Sequence, residues 1–106
     1  MELAKLVYRL TRTYSSDEKF GLVSQMRRAA VSVPSNIAEG QARNTTGEFV
    51  QFISHAEGSL AELDTQLRLS VILGQCKDSE LEQIRPFVTE LQKMLKSLRR
   101  KLTTNH

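Results

Sequence analysis

The sequence predicts an all-α domain, an antiparallel up-down-up-down four-helix bundle made by the whole chain, residues 1–106. Three observations predict it. Apolar residues recur at spacings of three and four along nearly the full length. Capping signals and glycines cut that pattern into four segments. Turn punctuation is sparse, with two prolines and five glycines, and aromatic residues are only 6% of the chain, too few for a β-sandwich. A chain of 106 residues that is 40% hydrophobic and 25% charged supports one folded core, and neither two domains nor a disordered segment is expected.

The helices are expected at about residues 2–13, 16–39, 46–73 and 79–102. Leu3, Leu6, Val7 and Leu10 mark the first. Ser15 and Glu18 form a capping box that opens the second, whose stripe is Phe20, Val23, Met26, Ala30, Val33 and Ile37. Gly40 is expected to end it as the left-handed C′ residue. Thr45 and Glu48 form a second box, after which Phe49, Ile53, Ala56, Leu60, Leu63 and Leu67 run on to Gly74. Asp78 or Ser79 caps the fourth helix, which carries the cleanest seam: Leu81, Ile84, Val88, Leu91, Leu95, Leu98 and Leu102. That 3-4 alternation suits helices crossing at about 20°. Short connections make neighbours antiparallel. The first helix, at about twelve residues, covers roughly half the length of the others. Apolar surface is therefore expected to stay uncovered on the remaining three, and self-association is the simplest way to bury it.

Two prolines fall inside helices. Pro86 sits early in the fourth, and Pro34 is deep enough in the second to kink it and free the carbonyl near Ala30, with Ser32, Ser35 and Asn36 at hand to satisfy it. Gln25, Arg28, Ser32, Asn36 and Glu39 share the face opposite the apolar stripe. Short hydrogen-bonding side chains of this kind fit either a binding surface or a polar seam between helices or subunits. Pairing the second and third helices as a hairpin brings Arg27 and Arg28 level with Glu57, Gly58 and Glu62, which predicts an Arg27/Arg28–Glu57/Glu62 network across the hairpin or between subunits. Gly58 costs about 1 kcal/mol against alanine in mid-helix and is expected to make room for an arginine or an approaching backbone.

Chemistry-bearing constellations are few. Cys76 is the single cysteine, so no internal disulfide forms. His55 and His106 are the two histidines, which excludes zinc-finger spacing and the paired Glu-x-x-His motifs of di-iron bundles. No glycine-rich phosphate loop and no nucleophile–base pair is legible. A non-enzymatic protein without a cofactor or metal is expected. No apolar run approaches the 18 or so residues of a membrane span, and Lys5, Arg9 and Arg12 interrupt any signal sequence, so a cytoplasmic protein is expected.

Charge is uneven. Residues 1–43 carry net +3, residues 44–82 net −5 and residues 83–106 net +5. Arg85, Lys93, Lys96 and Arg100 lie within an arc of roughly 80° on the fourth helix, away from its leucine seam, and Arg99 and Lys101 add charge near its end. Cations there oppose the helix dipole. They also form a candidate phosphate-facing stripe, and without interleaved aromatics any contact would be with the nucleic-acid backbone.

The segment Ser24–Gly40, SQMRRAAVSVPSNIAEG, followed by Arg43 and by AEGSLAEL at Ala56–Leu63, resembles the bacterial four-helix-bundle proteins encoded by intervening sequences within 23S ribosomal RNA genes. The accessory variability determinant of diversity-generating retroelements is similar in fold. The resemblance runs from Tyr14 to Leu102 and implies an antiparallel bundle, a barrel-like homopentamer and an association with RNA or DNA. By motif match, Gln25, Arg27, Arg28, Ser32, Pro34, Asn36, Glu39, Gly40, Arg43, Gly58, Ser59 and Glu62 are its signature positions, none with a catalytic role. Members often carry a longer first helix than the one that begins here close to Leu3. The expected function is therefore a non-enzymatic, self-assembling bundle that binds RNA or DNA. The rival reading is a protein–protein adaptor whose positive charge serves solubility.

Overall fold

The computed structural model describes residues 2–104, so His106 lies outside the described residues. The four α-helices are α1 (Glu2–Thr11), α2 (Ser24–Gln41), α3 (Thr46–Ile72) and α4 (Asp78–Thr104). α1 packs against α2 and α4, α2 against α3, and α3 against α4, which closes the expected four-helix bundle in chain order. The molecule measures 48 × 24 × 19 Å, about the length of one 27-residue helix plus its turns.

α3 supplies the centre of the core. Ile53, Ala56, Leu60, Leu63 and Leu67 are fully buried, against Met26, Ala30 and Val33 of α2 and the Leu81, Ile84, Val88 and Leu95 seam of α4. Leu3, Val7 and Leu10 of α1 complete it, but α1 is ten residues long and α4 is 27. Beyond its reach Ile37, Leu91, Leu98 and Leu102 are only partly covered.

The helix ends divide between expectation and correction. Gly74 has φ +74° and closes α3 with a Schellman pair, Gln75 N–H to the Ser70 carbonyl at 2.8 Å and Gly74 N–H to the Val71 carbonyl at 3.0 Å. The Thr45 hydroxyl caps α3 by accepting from the Glu48 N–H at 3.2 Å. α4 starts at Asp78, and the Glu80 carboxylate, rather than Glu82, reaches back to the Lys77 N–H at 3.0 Å. The second helix does not run uniformly from residue 16. A 3-10 turn (Ser16–Glu18) and a π turn (Lys19–Val23) precede α2. The Ser15 hydroxyl accepts from the Asp17 N–H, and the Ser15 N–H donates to Gln75 Oε1 at 2.8 Å, in the place expected for Glu18. A π turn takes more residues than an α turn, so the face upstream of it rotates relative to the stripe downstream. Phe20 consequently leaves the core and is 87% exposed.

Gly40 is a second correction. It is not a left-handed cap but a buried residue inside α2, which continues to Gln41. A Cβ there would stand 2.8 Å from Phe49 Cδ1 and 2.9 Å from Phe52 Cβ, so the glycine is required by the close approach of α3. Gly58 shows the opposite. It is exposed, and a Cβ would meet nothing within 4 Å, so among the described residues no arginine or backbone occupies the space in front of it. Gly58→Ala is expected to raise stability by about 1 kcal/mol, read as a higher melting temperature. A lowered value would place another chain against that face.

α2 also continues through Pro34. The Asn36 amide donates to the Ser32 carbonyl at 2.8 Å and the Ser32 hydroxyl at 2.9 Å, and not to the carbonyl that Pro34 frees at Ala30.

Candidate nucleic-acid interface

The polar residues of α2 and α3 form one ladder along the α2–α3 seam. Arg28 donates to Gln25 Oε1 and pairs with Glu62 Oε1 at 3.1 Å, and Gln66 donates to the same Glu62 oxygen at 3.3 Å. One turn on, the Ser32 and Ser59 hydroxyls lie 2.8 Å apart, half-buried, beside Asn36. At the end of the seam the Arg43 guanidinium covers the Phe52 ring at 4.7 Å and approaches Glu39 at 3.8 Å. Pro34 is half-buried within the same stretch of α2, and Gly40 sits under Phe49. These contacts tie α2 to α3. Both members of the Arg28–Glu62 pair are largely exposed, so it sets register more than it adds stability.

Across the hairpin within one chain, the network reduces to the Arg28–Glu62 pair. Arg27 turns to α1 instead, donating to Thr11 Oγ1 at 2.9 Å and covering the Tyr8 ring at 4.6 Å. Glu57 pairs across the bundle with Arg99 of α4, Nε to Oε1 at 2.9 Å and a second nitrogen to Oε2 at 3.3 Å.

The basic stripe of α4 divides accordingly. Arg99 is held by Glu57, and Arg85 lies 3.8 Å from Asp64, which also takes Arg68 at 3.2 Å. Those two arginines bind α4 to α3. Lys93, Lys96, Arg100 and Lys101 are exposed, and none has an acidic partner within 4.0 Å among the described residues. Lys93 and Lys101 border a groove of about 500 Å³ floored by Ile37, Leu91, Leu95 and Leu98, the apolar strip that α1 leaves open. Met94 at its edge is 57% exposed. Spacing along one helix placed the six cations; which of them an acid on α3 would take depended on helix rotation.

The sequence pattern missed a second basic surface, a groove of about 680 Å³ between α1 and the start of α2 that gathers Tyr8, Lys19, Phe20 and Arg27. Nothing in the spacing marks it, because Phe20 lies three residues before Val23, as a core position would.

Cys76 is half-buried beside Tyr14, and burial raises its thiol pKa above the ordinary value, which opposes formation of the nucleophilic thiolate. Burial also pushes the Tyr14 phenol upward, with Ser70, Cys76 and Glu80 around its hydroxyl. His55 is exposed and meets Phe52 edge-on, with the ring centroids 5.9 Å apart. Among the described residues no group of three or more His, Cys, Asp or Glu side chains is placed to hold a metal ion, and no helix is long and apolar enough to cross a membrane.

Among solved structures, the bundle is similar to the crystal structure of a protein of unknown function from the S23 ribosomal protein family of Bacteroides thetaiotaomicron. The TM-score is 0.78 at 21% identity, over 92% of this chain and 88% of that one, a likeness of fold. No curated protein matches the chain. Residues 1–97 match the family described as 23S rRNA-intervening sequence protein, a span that takes in the polar α2–α3 ladder, its buried Gly40 and most of α4; the chain belongs to that family.

Proposed function

We propose that this protein is a non-enzymatic, self-assembling cytoplasmic bundle that binds RNA or DNA through the phosphate backbone. The observation that carries the reading is the set of four exposed cations on α4, Lys93, Lys96, Arg100 and Lys101, which have no acidic partner among the described residues, whereas Arg85 and Arg99 each face an acid of α3. Unpaired cations attract a polyanion, and phosphate contacts do not by themselves distinguish RNA from DNA.

Assembly is supported by the uncovered groove over Ile37, Leu91 and Leu98. A second copy buries it, in the homopentamer that the family resemblance implies. Because Lys93 and Lys101 border that groove, neighbouring copies bring their cations together, and five chains carry a formal +15. The same groove is what favours the second reading, a protein–protein adaptor without nucleic acid.

The test is light scattering of the purified protein, followed by titration with mixed RNA and DNA over a range of salt. The expected result is a particle several times the 12.0 kDa chain mass whose affinity falls linearly on a log–log plot, with a slope of about −0.7 to −0.9 for each phosphate contact. A monomer indifferent to polyanions overturns the proposal. Capture of a protein partner that added salt does not weaken favours the adaptor.

A further inference from the structure

The groove between α1 and the start of α2 combines three features that the α4 stripe lacks. It is aromatic, since Phe20 is 87% exposed and Tyr8 is 41% exposed, with Val31 beside them at 43%. Large apolar side chains exposed together form a patch of the kind that marks a binding surface, unlike one scattered residue. It is also cationic. Lys19 Nζ lies 5.5 Å from the Phe20 centroid, and Arg27 stacks on the Tyr8 ring at 4.6 Å with Thr11 fixing its orientation. Finally, it is built by an irregular backbone: the π turn at Lys19–Val23 carries Phe20 out of the core stripe and holds it at the groove. Single π turns of this kind recur at functional sites.

Aromatic faces flanked by cations are what a single nucleic-acid strand requires. Its bases are free to stack on a ring while Lys and Arg face its phosphates, whereas bases in a duplex already stack on one another. We infer that this groove holds a single-stranded segment of nucleic acid, with Phe20 stacking on a base and Lys19 and Arg27 facing the adjoining phosphates. The inference rests on the nucleic-acid reading above and adds the strand state of the ligand. The groove has about 680 Å³ of open volume, enough for more than one base, and its floor at Val23 is buried in the bundle.

The experiment compares a labelled single strand of mixed sequence with its own duplex, by fluorescence anisotropy, for the full chain and for Phe20 variants. The sequence contains no tryptophan, so Phe20→Trp places one indole reporter in the groove. Phe20→Leu keeps apolar bulk and removes the ring. Phe20→Leu is expected to weaken single-strand binding about tenfold and to leave duplex binding within about twofold. Phe20→Trp is expected to keep single-strand binding, with its emission quenched on saturation. Single-strand affinity unchanged in Phe20→Leu overturns the inference, as does indole emission that the strand does not alter. A Phe20→Leu particle of lower mass also overturns it, because the groove then holds a second copy of the chain. Charge reversal at Lys93, Lys96 and Arg100 separates the two proposals: loss there with an indifferent Phe20 removes this site alone, and loss at Phe20 with an indifferent α4 removes the stripe. Binding of neither nucleic acid by the wild-type chain overturns both.

Discussion

Gly40→Val is expected to destabilise the bundle by about 2–3 kcal/mol, and a melt followed by circular dichroism would show a fall of about 4–8 °C for each kcal/mol. The Cβ alone would be 2.9 Å from Phe52 Cβ. That atom is bonded to the α3 backbone and cannot swing aside as a ring edge does, so α2 and α3 must separate locally. Two further methyl groups widen the separation. Alanine is the instructive intermediate, because it gains about 1 kcal/mol of helix propensity and still incurs the first clash. At Gly58, where a Cβ meets open space, the same propensity gain is unopposed. Opposite signs for Gly40→Ala and Gly58→Ala are therefore expected, and a rise in melting temperature for both would mean that the α2–α3 approach at Phe52 is not tight.

The two glycines also show how far the sequence carries. Periodicity identifies four helices and nearly all of the core, because burial on one face is a one-dimensional signal: each of Ile53, Ala56, Leu60, Leu63 and Leu67 is fully buried. A glycine near a helix end reads as a left-handed cap, and Gly74 is one. Gly40 has the same local signature, and the phenylalanines that demand it are nine and twelve residues away on another helix. Phe20 is lost for a related reason, since a spacing of three is compatible with an α stripe and with a π turn. Charge partners are less legible still. Arg27 and Arg28 are adjacent in sequence, yet one reaches Glu62 and the other Thr11, because successive helical residues point about 100° apart and register alone does not give rotation. The basic stripe of α4 was visible as composition. Its division into two arginines that face acids of α3 and four cations with no acidic partner among the described residues required the positions of Glu57 and Asp64.

That division makes a sharp prediction. Replacing Lys93, Lys96 and Arg100 together by glutamate is expected to weaken binding to RNA and DNA at least about a hundredfold and to flatten the salt dependence by about three phosphate contacts. The magnitude follows from reversal, which removes three attractions and adds three repulsions along one polyanion. It takes residues 83–106 from net +5 to net −1. The fold should survive, since among the described residues none of the three is in an ion pair and the Arg85–Asp64 and Arg99–Glu57 contacts that bind α4 to α3 are untouched. Net charge alone would give the same direction of change, so the control is reversal of Lys5, Arg9 and Lys77. These residues are also exposed and shift the total charge equally, but stand on α1 and just before α4. The control is expected to lose affinity by much less and to keep the salt slope. Equal losses in the two variants would reduce the effect to bulk charge. An α4 variant that melts and binds like the wild type would make the four cations a solvated face and nothing more.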